Sequence, residues 1–519
     1  MTSGPSRPSD IPSTGNGELA AAISRRFSVA MSQSVHDQLC GHLLRDAGHS
    51  EELCFALWTQ SSGSTRDTAL LWRVLLPEAG DREVHGNVSF MPCYVERALR
   101  EAAAAGTEVG IALLHSHLGP GWQDMSGDDV VAEQRLAGPA HSFTGLPLVG
   151  LTLGTDGAWS ARLWRPSGGR QFNRTWAEAV RVSGRRLKVT FDDRQVPRPV
   201  YREQFRRTQT VWGADAHTSL ARLRVGIIGL GSVGSAVAEQ LARAGVERVT
   251  LIDFDRVEPH NLDRLQGADN GRDVGRLKVE LAEQLVRRSS TAASVDVCSI
   301  PLSIVEPKGY AAALDCDVLF SCVDRPRARQ ALNHLAYAHL IPVVDGGIAV
   351  RFRNRRAPAV DTEDGVPTFA GAEWQAQTVG PERACLECLG MFRGDDADLE
   401  RSGMLDDPAY MEGLPRDHRL KANENVYAFS THLAALEMFQ FIGLTGGLPQ
   451  VDWFGKQRHY FVVGETCADP SVLCRDGCTI DLLIATGDRE ICYTGKDLTA
   501  DRGRRAEPEY SEWDRQRRG

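Results

Sequence analysis

Val225-Gly226-Ile227-Ile228 runs directly into Gly229-x-Gly231-x-x-Gly234 and then into a helix-patterned stretch, Ser235 to Ala244. No other feature constrains the fold as strongly. A short apolar run of this kind suits a buried strand. The first Gly permits a sharp turn, and the second lets phosphates approach the backbone. The helix start offers free N–H groups and the positive end of a dipole. Asp253 closes the next strand-like run, about twenty residues on, where a carboxylate suits a ribose hydroxyl. Strands are expected at 224–228, 248–253, 294–300, 318–322 and 342–345, alternating with helices. That alternation predicts an α/β fold, a Rossmann-like parallel sheet with crossover helices. On the glycines and Asp253 alone, NAD or FAD fits as well as ATP.

The residues that follow separate these cofactors. Asp253-Phe254-Asp255 leads to Asn261-Leu262-x-Arg264 and then to Val274-Gly275-x-x-Lys278. A further strand ends at Asp324, with Arg329 and Asn333 on the next helix. Hydride transfer has no use for a second carboxylate, an Arg and a Lys at this edge. Attack on an α-phosphate uses cations to stabilise negative charge and a carboxylate to hold Mg²⁺.

In these motifs, residues from about 200 to 350 resemble the ThiF/MoeB/ubiquitin-activating superfamily. The resemblance implies ATP-dependent adenylation of the C-terminal glycine of a ubiquitin-like or sulfur-carrier protein. Gly229, Gly231, Gly234, Asp253 and Asp255 would bind ATP. Asn261, Arg264 and Lys278 would address its phosphates, and Asp324 would hold Mg²⁺. Arg207 sits where the family places an Arg that reaches the partner subunit's site, which implies a homodimer.

Cys385-x-x-Cys388 and Cys474-x-x-x-Cys478 offer four thiolates for a tetrahedral structural Zn²⁺ site, with Cys467 as a competitor. The segment from Gly390 to Thr466 holds no cysteine, so a thioester-forming nucleophile is missing where the resemblance would put one. Cys492 is the remaining candidate downstream. The gap tilts toward sulfur-carrier chemistry for a cofactor or metabolite. The resemblance also allows a separate conjugating enzyme as a further partner. A degenerate, non-enzymatic nucleotide scaffold is the third reading, and Arg264, Lys278 and Asp324 speak against it.

The first half carries a different pattern. His115-x-His117 lies on a predicted strand, where period two puts both side chains on one face. Ser126-x-x-Asp129 follows at a helix start. Two His and one carboxylate leave an open position on Zn²⁺, and Glu52 on an earlier strand is the candidate general base. Residues 30–180 or so resemble the JAMM (JAB/MPN) metalloproteases. By that resemblance His115, His117 and Asp129 bind catalytic zinc, Ser126 supports the oxyanion and Glu52 shuttles the proton. The loop from His117 to Ser126 departs from the family spacing and leaves Asp128 as an alternative ligand. Such a peptidase would cleave after the terminal Gly of the same kind of modifier.

A chain of 519 residues exceeds one ordinary core. The expected division is a disordered tail at 1–25, a JAMM-like domain at 26–183, a linker and entry segment at 184–215, a ThiF-like domain at 216–495 and a charged tail at 496–519. Within the first domain, 18–38 reads as helical. The formal charge of −9 argues against a nucleic-acid partner. No run long enough for a membrane helix occurs. Dispersed thiols without a disulfide framework suit the cytoplasm.

Overall fold

The computed structural model describes residues 25–46, 49–85, 87–169, 171–269, 271–353, 368–414, 425–446, 455–468, 473–490, 492 and 494–505. The expected N-terminal tail up to residue 24, and the end of the charged C-terminal segment, lie outside them.

The first half contains β1 (Arg26–Ser32), α1 (Gln33–Leu43), β2 (Leu53–Ser62), β3 (Arg66–Leu75), β4 (Arg82–His85), β5 (Asn87–Phe90) and α2 (Pro92–Ala104). It continues with β6 (Gly110–Ser116), α3 (Gly127–Thr144), β7 (Leu148–Leu153), β8 (Trp159–Gly168), β9 (Gln171–Trp176), β10 (Ala179–Ser183) and β11 (Leu187–Phe191). All but β4 and β5 join one mixed sheet in the order β11-β10-β1-β3-β2-β6-β7-β8-β9. Side chains alternate between its faces. Leu53, Phe55, Leu57 and Leu113 pack with residues of α2 and α3. Cys54, Ala56, Trp58 and Leu114 pack with residues of α1.

Two expectations give way here. Residues 26–32 form a strand rather than the start of a helix. Ser28-Val29-Ala30-Met31 pairs with both β3 and β10 inside the sheet, and burial on both sides outweighs helical propensity. The helix starts only after Ser32, whose side chain accepts from the Val35 N–H. The segment expected as linker also begins with a strand. β11 pairs antiparallel with β10, and Leu187 and Phe191 are buried. The basic residues around them mask the pattern.

The entry to the second half is helical, with α4 (Arg206–Trp212) and α5 (Ala214–Arg222). Then come β12 (Arg224–Ile228), α6 (Ser232–Arg243), β13 (Arg248–Ile252), α7 (Lys278–Ser289), β14 (Asp296–Ile300), α8 (Pro307–Ala313), β15 (Val318–Ser321) and α9 (Pro326–Ala338). The chain goes on through β16 (Val343–Arg353), β17 (Thr368–Val379), α10 (Gly394–Arg401), α11 (Pro408–Gly413), α12 (Tyr427–Leu444), β18 (Gln457–Tyr460) and β19 (Glu465–Ala468). The sheet order is β14-β13-β12-β15-β16-β17-β18-β19. Its first five strands are parallel and the last three antiparallel. The crossover direction reverses around β12. A crevice therefore opens outside the carboxyl ends of the strands, where such sheets bind ligands.

The first half docks on the other edge, where the parallel strands begin. Asp317, just before β15, is almost fully buried and accepts from Arg66 Nη1 (2.7 Å), Arg181 Nη1 (3.0 Å) and the Arg224 N–H (3.0 Å). Glu178 binds Arg224 at 3.1 Å and Arg66 at 3.4 Å. Arg66 also donates to the Cys316 carbonyl and Arg181 to the Leu340 carbonyl. Burial opposes the Asp317 charge, but Arg66 and Arg181 hold its carboxyl below the usual carboxylate range. An apolar seam of Ala30, Leu70, Leu340 and Ala485 lies alongside. Removing one member leaves uncompensated buried charge. Asp317→Ala is therefore expected to cost about 3–5 kcal/mol, read as a lower urea midpoint for the full chain. An unchanged midpoint contradicts this role.

Candidate functional site

At the carboxyl edge of the parallel sheet, β12 ends in Gly229 with φ of +86°. A Cβ there would sit 2.5 Å from the Cys322 carbonyl oxygen, and one at Gly234 would sit 1.9 Å from the Gly229 carbonyl oxygen. The loop and the first turn of α6 thus press together as only glycines allow. Gly231 caps α6 and has open space beyond its Cα.

Asp253 follows β13 and is tied down through both oxygens. Oδ2 accepts from the Leu230 N–H at 2.5 Å and Oδ1 from the Asp255 N–H at 2.7 Å. Burial pushes its carboxyl up to about 6, against the pull of Lys278. Lys278, at the start of α7, bonds Asp255 Oδ2 at 2.8 Å. Burial opposes its charge, but Asp253, Asp255 and Asp324 together raise its pKa. Asp324 is exposed after β15. The Gly loop, Asp253, Asp255, Lys278 and Asp324 therefore converge on one crevice.

The other expected residues lie around it. Asn261 Oδ1 accepts from the Glu258 N–H. Arg264 is engaged within its own loop, with the His260 carbonyl at 2.5 Å and Asp263 at 2.8 Å. Arg207 is exposed on α4 and makes no ion pair among the described residues. Asp345, at the floor beside the crevice, went unremarked in the sequence. It is fully buried and accepts from Ser321 (2.5 Å), Gln377 (2.6 Å) and Arg329 (3.2 Å). Its place at the close of the apolar run 342–344 was the signal the sequence offered.

Two clusters can hold a metal ion. The ligand atoms of Cys385, Cys388, Cys474 and Cys478 all lie within 4.8 Å of one another, which suits a closed tetrahedral site. Cys467 is elsewhere, on β19 opposite Arg458. Cys492 lies against Tyr310, and burial pushes its thiol up to about 11, which disfavours the thiolate a nucleophile needs.

The second cluster is His115, His117 and Asp129, again within 4.8 Å. The two histidine Nε2 atoms are 3.2 Å apart, and Asp129 reaches them at 3.4 and 3.2 Å. Asp129 is presented by a capping box. Ser126 Oγ accepts from the Asp129 N–H, and Asp129 Oδ2 accepts from the Ser126 N–H. That geometry selects Asp129 over Asp128, and it engages Ser126 in the cap. Burial opposes the Asp129 charge, but the two histidines hold its carboxyl below the usual range.

Glu52 is not brought to this cluster. β2 pairs with β6 so that Leu53 lies opposite His115, and Glu52 faces Ser116 instead. Side-chain alternation sends Glu52 to the sheet face opposite the histidines. There its buried carboxylate is bound by Arg45 and by Arg82, the latter at 2.8 and 2.9 Å. Burial opposes its charge, yet Arg82 and Arg45 lower its pKa. The His117 imidazole is pushed up chiefly by its hydrogen bond to Asp129, and the neighbouring Glu51 adds a smaller electrostatic contribution in the same direction. Sequence reading alone does not separate the two adjacent glutamates that precede the strand, because only the register tells their faces apart.

Comparison with known proteins bears on the second half. Molybdopterin-synthase adenylyltransferase of Escherichia coli (strain K12) is 33% identical over 185 residues, 35% of this chain and 65% of the relative. Ubiquitin-like modifier-activating enzyme 5 of Caenorhabditis elegans is 32% identical over 118 residues, 21% of this chain and 28% of the relative. Adenylyltransferase and sulfurtransferase UBA4 of Meyerozyma guilliermondii is 30% identical over 120 residues, 23% of this chain and 28% of the relative. The chain thus spans less than two thirds of the length of each. The family whose model the second half matches, over residues 201–441, is the ThiF family.

Proposed function

We propose that the second half adenylates the C-terminal carboxylate of a small ubiquitin-like or sulfur-carrier protein ending in Gly. The observation that carries this reading is the convergence of the Gly loop, Asp253, Asp255, Lys278 and Asp324 at one sheet edge. The α6 N-terminus receives the triphosphate, and Asp253 accepts from the ribose. Asp324 would hold Mg²⁺, which would supply positive charge against the phosphates. Lys278 exchanges its Asp255 partner for the α-phosphate as the carboxylate attacks and pyrophosphate leaves. Asn261 and Arg264 close over the phosphates once the loop lets Arg264 turn. Exposed Arg207 reaches the crevice of a second copy, which makes a homodimer the working unit. Lys278→Ala and Asp324→Ala are each expected to lower ATP–pyrophosphate exchange, driven by a Gly-ended carrier, by roughly a hundredfold or more. Survival of exchange in both variants overturns this reading.

We further propose that the first half is a zinc peptidase of the JAMM type that exposes or frees the carrier's terminal Gly. The His115–His117–Asp129 geometry supports it. Zn²⁺ there would supply a water made nucleophilic near neutral pH. Glu51 would shuttle the proton between the attacking water and the leaving amine, while Glu52 serves as a structural anchor. Cys385, Cys388, Cys474 and Cys478 hold a second, structural Zn²⁺. Metal analysis of purified chain is expected to give one zinc fewer in His115→Ala and a different one lost in Cys388→Ala. Glu51→Gln is expected to keep its zinc and lower cleavage at least a hundredfold. Glu52→Gln is expected to lower thermal stability instead. The reverse pattern overturns the choice of Glu51.

A sulfur-carrier pathway is the second reading. It is favoured by the absence of cysteine between Gly390 and Thr466 and by the burial of Cys492. In that case the acyl-adenylate passes to an external sulfur donor rather than to a thioester on this chain.

A further inference from the structure

Behind the His115–His117–Asp129 cluster lies an ion pair that stability alone does not explain. Arg162 on β8 and Glu133 on α3 are both completely buried. Arg162 Nε donates to Glu133 Oε2 at 3.0 Å, its Nη2 bonds Oε1, and the Trp164 indole N–H donates to Oε2 at 2.7 Å. Such pairs are frequently replaceable by apolar residues without loss of stability. Glu133 stands one helical turn beyond Asp129, so the pair fixes the face of α3 that presents Asp129.

The remaining guanidinium nitrogen identifies a second task. Arg162 Nη1 donates to Thr152 Oγ1 at 2.5 Å. Thr152 lies beside His115 in the parallel β6–β7 ladder, on the same face, with Oγ1 3.4 Å from His115 Nε2. A hydroxyl has one proton and two lone pairs. Arginine can only donate, so it occupies a lone pair and leaves the Thr152 proton to be given elsewhere. Among the described residues, His115 Nε2 is the one acceptor within reach, and it is an atom the metal would take. With Nε2 engaged by a metal, the Thr152 proton would be free for another acceptor beside the cluster.

We propose that Thr152 is a hydrogen-bond donor to whatever oxygen occupies the position that the two histidines and Asp129 leave open, and that Arg162, held by Glu133, is the positioning residue that aims it. The inference rests on reading the cluster as a metal site. It adds a neutral donor on the floor of the site, distinct from Glu51 at its side.

The test uses the full chain loaded with Co²⁺ and titrated with acetohydroxamate, an oxygen-donor ligand. Binding is followed by the part of the visible spectrum that His115→Ala abolishes. Thr152→Val is expected to bind Co²⁺ with unchanged stoichiometry and to weaken acetohydroxamate about tenfold, the size expected for loss of one hydrogen bond to a charged acceptor. Thr152→Ser is expected to restore binding to within about twofold of wild type. Thr152→Ala removes the hydroxyl without placing a methyl against Arg162, and it serves if the Val variant does not fold. Unchanged affinity in the Val or Ala variant overturns the proposal, as does a Ser variant as weak as Val. If the wild-type chain shows no His115-dependent Co²⁺ spectrum, the metal-site reading itself fails, and that result is distinguishable from the others.

Discussion

Asp317 and the arginines around it decide how everything else is arranged. A buried carboxylate shared by Arg66, Arg181 and the Arg224 N–H leaves little freedom for the two halves to shift. Any displacement strands charge in a low-dielectric interior, where an unpaired ion is far more costly than a lost apolar contact. The first half is thereby fixed to the edge where β12 and β15 start, and the crevice lies at the edge where they end. β12 alone spans roughly 13 Å between the two edges, from the strand rise per residue.

Both sites follow one electrostatic logic. Each gathers ionisable groups of both signs at one place. At the crevice, three carboxylates surround Lys278, and burial works against Asp253. At the other site, a carboxylate and two imidazoles converge within hydrogen-bond distance around a common point. Core packing does not demand either grouping. The apolar clusters that build the two sheets run up to the edges of both, through Leu230 and Leu277 at one and Leu113 and Met125 at the other.

Much of this was legible in the sequence, and the gaps have physical causes. The Gly loop, the strand-end acids and the crossover pattern follow from short-range geometry, so the parallel sheet could be read residue by residue. His115, His117 and Asp129 were equally readable, since strand period and a helix cap place them. Glu51 was not, because choosing between adjacent glutamates needs the β2–β6 register, a long-range property. β1 and β11 were missed for a related reason. Their residues look helical or basic in isolation, and only pairing inside a sheet makes them strands. The Asp317 network was hidden because its members are scattered from Arg66 to Asp317, and no local pattern links them.

The central claim is that a triphosphate, and not a nicotinamide, belongs in the crevice. Isothermal titration of the full chain with ATP in the presence of Mg²⁺, set beside a titration with NADH, addresses it directly. The account predicts saturable binding of ATP that Asp253→Ala weakens, and no heat from NADH. Saturable NADH binding that ATP fails to displace would contradict it.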